Sequence, residues 1–264
     1  MVNDSEPFRH SILQEETLER LKQASYPQQV SQILLKDLTT EGKSLLDAGA
    51  GPNPKLAEFA AQLGFRYLPL DINQQALGEL RHQLVDKAIA CAGVMGDVAR
   101  LPFRDRSVDI AHERFVLMNI APDKRAPAVR ELIRVAREDV VLLEYNWRTV
   151  GSSADPNRIA SFRTAAIEVL YTLGTEPYMG EILDELVRNL DLAETYQVEH
   201  FRRQENTTHC GELILLASDL AAVAERRLKN LILANELRAF ARELNHSPFA
   251  FIPAEVVAAT IHLS

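Results

Sequence analysis

Residues 44–54, SLLDAGAGPNP, form the stretch that decides the fold of this chain. Leu45-Leu46 is an apolar pair typical of a buried strand, and Asp47 follows it as an acid at the strand end. Gly49 and Gly51 then supply a turn without side chains, and the second proline suits the first position of a following helix. A strand, a glycine turn and a helix in this order bring backbone N–H groups close to a nucleotide-like ligand.

An acid recurs at the end of each of the next two predicted strands. Asp71 closes RYLPLD and Asp97 closes CAGVMGD. The intervals from Asp47 to Asp71 and from Asp71 to Asp97 are each about 25 residues, the length of one strand and helix unit. Parallel strands joined in this way end at the same edge of a sheet, so we expect the three carboxylates to lie along one edge.

These motifs resemble the class I S-adenosylmethionine-dependent methyltransferases, in particular the small-molecule branch of the methyltransferase type 11 and UbiE-like proteins. The resemblance rests on DAGAG at 47–51, on Asp71, and on 96–120, GDVARLPFRDRSVDIAHERFVLMNI. The last stretch fills the pattern D-x-x-x-LPF-x-D-x-S-x-D. The resemblance covers residues 40–147 and, more loosely, 179–201.

The resemblance implies S-adenosylmethionine as cofactor and assigns residues to it. Gly49 and Gly51 would lie against the methionyl part, and Asp47 would fix the loop and the cofactor amino group. Asp71 would accept from both ribose hydroxyls, and Asp97 from the adenine amine. The full implied set is Asp47, Gly49, Ala50, Gly51, Asp71, Ile72, Asp97, Val98, Glu113 and Arg114.

The implied fold is α/β: a Rossmann-like, seven-stranded, mostly parallel sheet with helices on both faces, an antiparallel last strand and helical cap segments. The chain pattern agrees, because helices are predicted near 54–64, 73–86 and 122–136. Strands are predicted at SVDIAHE, VVLLEYN and, as the seventh, EVVAATIHL.

We predict a single methyltransferase domain over 1–264, with its cofactor-binding core at 41–147. Two helices before the first strand make 1–40 an N-terminal helical cap, and 148–178 and 202–253 read as substrate-cap insertions. These segments are expected to determine acceptor specificity, because ligands bind beyond the carboxyl ends of the strands. The alternative, that they only complete the core or form a dimer contact, stays open.

Two positions depart from the family pattern. Asn53 stands where a third glycine is common, and we expect the turn to survive because Asn tolerates a positive φ. The usual Pro-Gly-Gly turn before the fifth strand is missing, so the strand is expected to follow its helix directly.

Composition restricts the class of protein. At 264 residues, 47% hydrophobic and 25% charged, the chain can bury a full core. A net charge of −8 and a pI near 5.5 argue against a nucleic-acid partner. We expect no membrane partner, because no apolar run reaches spanning length and the N-terminus lacks a signal-peptide pattern. Cys91, placed in the buried third strand, and Cys210 are not expected to pair, which favours the cytoplasm.

Methyl transfer asks mainly for positioning and for exclusion of water, and for a base only with some acceptors. Strand alternation lets only one of His112 and Glu113 face the crevice, and we favour Glu113 over a role in an ion pair. Tyr145 is the second catalytic candidate, although a packed ring is its commoner role, and His209 is a surface histidine by default. The base candidates by position are His112, Glu113, Glu144, Tyr145, His209 and Tyr26.

The sequence therefore predicts methyl transfer from S-adenosylmethionine to an O, N or C atom of a small-molecule acceptor. The alternative is a protein of the same fold that binds the cofactor without transferring methyl. A nicotinamide-dependent oxidoreductase is disfavoured, because Asp47 precedes the first glycine and Asp97-x-x-x-Leu-Pro-Phe has no role in dinucleotide binding. No metal site is expected, since the His and Cys residues lack ligand spacing. A homodimer stays open.

Overall fold

The computed structural model of the protein describes residues 26–38, 42–192, 195–204 and 210–263. The helix predicted at 11–25 and the base candidate His209 lie outside the described residues. The strands are β1 Ser44–Ala48, β2 Arg66–Asp71, β3 Val94–Met95, β4 Val108–Arg114, β5 Ala136–Asn146, β6 Thr195–Phe201 and β7 Glu255–His262. The helices are α1 Tyr26–Asp37, α2 Lys55–Gln62, α3 Gln74–Val85, α4 Pro122–Val135, α5 Pro156–Thr172, α6 Met179–Arg188, α7 Cys210–Arg226 and α8 Leu231–His246.

The strands form one seven-stranded sheet in the order β3-β2-β1-β4-β5-β7-β6. The pairs from β3 to β5 are parallel. The last residue of β7, His262, is hydrogen-bonded through Nδ1 to Asp139 Oδ1 near the start of β5, at 2.7 Å. The first residue of β7, Glu255, accepts through Oε2 from Asn146 Nδ2 at the end of β5, at 3.4 Å. β7 therefore runs antiparallel to β5. The predicted Rossmann-like fold with an antiparallel last strand is confirmed.

Local signals explain the elements that border the glycine turn. All five residues of β1 are buried, as expected for a strand covered on both faces. The Asn73 side chain caps α3 by accepting from the N–H groups of Gln75 and Ala76. The predicted helices near 54–64, 73–86 and 122–136 agree with α2, α3 and α4 to within two residues at each end.

Two strands differ in extent from the prediction. β3 comprises only Val94–Met95, so the prediction that Cys91 lies in a buried third strand is wrong. The reason is that β3 is the edge strand with a single neighbour, and Met95 remains 64% exposed. β5 begins at Ala136, directly after α4, and pairs there with Val108. The expected absence of a turn at this point is confirmed.

The chain forms two compact units. Unit 1 contains the described residues of 1–144, 182–199 and 258–264. Unit 2 contains 145–181 and 200–257, and its core is made by α5, α7 and α8, where the rings of Phe162 and Phe240 stack at 4.4 Å. The single-domain organisation and the role of the cap segments stay predictions. Within the described residues, no helix is both long and apolar enough to span a membrane.

Candidate functional site

The turn after β1 folds back onto β2. Gly49 and Gly51 adopt φ values of 81° and 60°, a region that favours glycine. The N–H groups of Gly49 and Ala50 donate to the carbonyl oxygen of Leu70 at 2.7 and 3.0 Å. A Cβ on Gly49 would overlap the side chain of Val116, whereas a Cβ on Gly51 would point into open space. Packing therefore requires a glycine at 49, and the open side at 51 leaves the backbone accessible to a ligand.

Asp71 is joined to the glycine turn by its side chain. One carboxylate oxygen accepts from Gly51 N at 2.9 Å and the other from Asn73 N at 2.8 Å. Burial raises the pKa of Asp71, and these backbone hydrogen bonds oppose the rise. Each oxygen retains acceptor capacity, so the fixed carboxylate can still receive two hydroxyl groups from a ligand.

Exposed apolar side chains lie between Asp71 and Asp97 at the carboxyl edge of the sheet. Ile72 is 38% and Met95 64% exposed, and Met95 lies beside Asp71 in the sheet register. Asp97 accepts from Ala99 N at 2.9 Å, so its carboxylate is also fixed. An apolar surface between two carboxylates suits a flat ring that carries a ribose.

Lys124 is a site neighbour that the sequence analysis missed. Its ammonium lies 3.7 Å from the carboxylate of Asp97, and both side chains are partly exposed. The available signal was its position near the N-terminus of α4, the helix that follows the fourth strand.

Asn53 keeps the turn in a different way from the one expected. Its φ is not positive, so the predicted use of its tolerance for that region is wrong. The buried side chain instead accepts from Lys55 N at 3.0 Å, which satisfies a free N–H at the start of α2. Gln83 on α3 donates to the carbonyl oxygen of Pro52 at 2.8 Å. The turn therefore forms with a non-glycine residue at position 53, and these side-chain hydrogen bonds stabilise it.

Asp47 belongs to a buried polar network. Its two carboxylate oxygens lie 2.6 Å from the Tyr67 hydroxyl, which donates, and 2.9 Å from His112 Nδ1. The second ring nitrogen of His112 lies 3.0 Å from Ser31 Oγ on α1. All four residues are buried. The network ties α1 to β4, β1 and β2, and it commits Asp47 to the interior below the glycine turn.

The charges in this network follow from burial. Burial lowers the pKa of His112, which therefore stays neutral and donates from Nδ1 to the carboxylate. Burial alone would raise the pKa of Asp47, but the hydrogen bond from His112 and the positive charge of Arg114 bring it below the ordinary value of 3.8. Ser31 and Tyr67 were not predicted, because the sequence does not say which polar residues of separate elements face each other.

Glu113 and Glu144 are a second pair of buried acids, and neither is exposed. Glu113 accepts from Val116 N at 3.1 Å and Glu144 from Met118 N at 3.0 Å. Burial raises the pKa of Glu113 to about 8, and burial followed by repulsion from Glu113 raises the pKa of Glu144. Glu113 thus lies at the predicted strand end, beneath the turn that follows β4.

The other predicted catalytic residues take different places. Tyr145 is partly buried and packs against the apolar cluster of unit 2, and its catalytic role stays a prediction. His112 is held in the network with Asp47. Tyr26 begins α1, and its side chain lies outside the described part of the chain. The described residues contain no group of three or more His, Cys, Asp or Glu residues able to hold a metal ion.

A family profile described as "Methyltransferase domain" matches residues 46–143. The match contains the glycine turn, Asp71, Asp97, Glu113 and Arg114. It ends at the fifth strand, so it leaves the residues of unit 2 unmatched. No curated protein matches this sequence significantly.

Solved structures of low sequence identity share the fold. The YcgJ protein of Bacillus subtilis has 15% identity and a TM-score of 0.60, over 89% of this chain and 99% of that one. The [4+2]-cyclase SpnF has 15% identity and a TM-score of 0.56, over 91% and 84%. Phosphoethanolamine N-methyltransferase 2 of Haemonchus contortus, solved with phosphomonomethylethanolamine and S-adenosylhomocysteine, has 13% identity and a TM-score of 0.55, over 91% and 53%.

Proposed function

We propose that the protein transfers a methyl group from S-adenosylmethionine to an O, N or C atom of a small-molecule acceptor, because residues 46–143 match the profile of a methyltransferase domain. The acidic net charge of −8 supports a small acceptor over a nucleic acid.

The cofactor site in this proposal is the carboxyl edge of unit 1. Gly51 offers backbone with open space beside it, and Asp71 offers a carboxylate oriented by two backbone N–H groups. Ile72 and Met95 would cover the faces of an adenine ring, and Asp97 would accept from its amine. This combination of an open glycine turn and a fixed carboxylate is the observation that supports the proposal most strongly.

The sulfonium of the bound cofactor would supply an already activated methyl group. The protein's residues would then have to orient the cofactor and exclude water. Glu113 is fully buried, so in this proposal it acts on the site through the turn that it holds, and not as a base in contact with the acceptor. Tyr145 stays a candidate contact.

We assign acceptor recognition to the segments 148–178 and 202–253. They lie outside the matched residues 46–143, and most of unit 2 consists of them. Proteins that share a common core differ in substrate mainly through the segments added to that core.

The test is label transfer. The purified protein is incubated with methyl-labelled S-adenosylmethionine and panels of small amines, hydroxy acids, phenols and carbon acids, and labelled products are detected by mass spectrometry. We expect product with at least one panel, and none with Asp71→Ala at limiting cofactor. Cofactor binding without transfer to any panel would favour the alternative, a binder of the same fold that does not transfer methyl. The cyclase among the solved structures supports keeping that alternative, because its name describes a different reaction.

A further inference from the structure

Glu113 and Glu144 face the same side of the sheet on neighbouring strands. Glu113 pairs with Leu142 in the parallel register, and Glu144 lies two residues further along, on the same face. Both carboxyl groups are completely buried. One oxygen of each, Oε1 of Glu113 and Oε2 of Glu144, has no hydrogen-bond partner. Burying two ionised carboxyl groups with unpartnered oxygens lowers the stability of the fold, so the pair is expected to be protonated or to serve a function.

The partnered oxygens hold the turn that follows β4. Glu113 accepts from Val116 N and Glu144 from Met118 N, so two strands hold one short segment of backbone. Phe115, at the start of this turn, adopts a φ of 60°, which a non-glycine residue rarely does. Arg125 on α4 donates to the carbonyl oxygen of Leu117 at 3.1 Å. The turn therefore has a strained start that surrounding groups keep in place.

The same turn touches the glycine turn of the candidate cofactor site. The Val116 side chain occupies the space that a Cβ on Gly49 would need. A shift of Val116 would therefore change the support beneath the glycine turn. In this way two buried acids can act on the site without touching a ligand.

Two arginines act on the charges of Glu113 and Glu144. Arg114 on β4 attracts the negative charge of Glu113, and Arg125 on α4 attracts that of Glu144. Among the described residues, neither arginine forms an ion pair with Glu113 or Glu144. His112 and Asp47 lie on the opposite face of the sheet. Two full negative charges would repel each other here, so the pair keeps at least one proton at neutral pH.

We propose that Glu113 and Glu144 are positioning residues that hold the turn 115–119 against the glycine turn while the pair is protonated, and so make cofactor affinity depend on the protonation of the pair. The proposal rests on the proposed function, because it assumes that the carboxyl edge binds S-adenosylmethionine. Ionisation of both acids at alkaline pH would place two negative charges next to each other, and their repulsion would release the turn and weaken binding.

The experiment is calorimetric titration with S-adenosylhomocysteine from pH 7 to pH 9 for four proteins: wild type, Glu144→Gln, Glu144→Ala and Glu236→Gln. Glutamine can still accept from Met118 N and does not ionise, so it imitates the protonated acid. Alanine has no side-chain acceptor, so it removes the hydrogen bond from Met118 N. Glu236 is an exposed residue on α8, and its replacement removes the same charge from the chain.

We expect the wild type and Glu236→Gln to lose affinity above pH 8, by up to about tenfold per pH unit for one linked proton. Glu144→Gln should match the wild type at pH 7 and lose clearly less affinity at pH 9. Glu144→Ala should bind about tenfold more weakly at both pH values, and Glu144→Gln thereby serves as its conservative rescue. Equal pH dependence in the wild type and Glu144→Gln, or unchanged affinity in Glu144→Ala, would overturn the inference. No binding by the wild type at any pH would instead overturn the proposed function.

Discussion

The carboxylate of Asp71, at the end of the second strand, accepts a hydrogen bond from the backbone N–H of Gly51 at 2.9 Å. This bond joins the two motifs that the sequence separates by 20 residues. A second bond, from Asn73 N at 2.8 Å, fixes the other oxygen. The carboxylate is therefore oriented before any ligand arrives, which lowers the entropic cost of binding.

Asp71→Ala should weaken binding of S-adenosylmethionine by about 2 to 4 kcal/mol, because two charge-assisted hydrogen bonds to the ribose would be lost. This corresponds to a rise in Kd of roughly 30- to 1000-fold. Titration calorimetry measures the effect. Asp105→Ala is the matched control, since the Asp105 side chain is 77% exposed. Unchanged affinity in Asp71→Ala would remove the assignment of this strand end.

Gly49→Ala should destabilise the protein and abolish cofactor binding. The new methyl group would overlap Val116, and the backbone at φ 81° disfavours any side chain. Gly78→Ala is the control, because Gly78 lies within α3 with nothing near its Cβ direction. That change should raise the free energy of unfolding by roughly 0.5 to 1 kcal/mol. Urea unfolding measures both, and a stable Gly49→Ala protein with full affinity would contradict the account.

His112→Asn should reduce the acid sensitivity of folding. In the folded protein the pKa of His112 is lowered from its ordinary 6.5, so below that pH the unfolded chain binds a proton that the folded chain excludes. Stability of the wild type therefore falls as pH drops from 7 to 5. The ionised Asp47 adds to the loss only below its ordinary pKa of 3.8. We expect a smaller loss between pH 7 and pH 5 in the variant, measured by urea unfolding. An equal loss in both proteins would exclude His112 as its source.

Glu113→Gln should have the opposite pH signature. The pKa of Glu113 is raised to about 8 from 4.5, so the folded state loses stability as pH rises through this interval. Glutamine does not ionise, and the variant should be the more stable protein at pH 8.5, by at most about 5 kcal/mol. The gain should shrink at pH 5. The same gain at both pH values would point to packing in place of ionisation.

The sequence was sufficient for the core of the fold. Asp71 is the last residue of β2, Asp47 is the second-last residue of β1, and Asp97 follows the end of β3 by two residues. The three acids therefore predicted these strand ends to within two residues. The predicted strand around Cys91 was too long, because the apolar run gives no sign that the strand would lie at the sheet edge. Position 53 does not need a glycine, because its φ is not positive.

The contacts across the sheet could not be read from the sequence. Pairing Ser31 with His112 requires knowing where α1 packs, and 81 residues separate the two. Glu144 was a candidate by position, yet its contact with Met118 depends on the turn after β4. The sequence thus placed these acids near strand ends, while their partners emerged only from the fold.

Calorimetric titration of the purified protein with S-adenosylmethionine, S-adenosylhomocysteine and NAD tests the central claim most directly. The account predicts micromolar binding of both sulfur ligands. It predicts no heat with NAD, because Asp47 precedes the first glycine and Asp97-x-x-x-Leu-Pro-Phe has no role in dinucleotide binding. Absence of binding by either sulfur ligand, with the protein folded by circular dichroism, would contradict it.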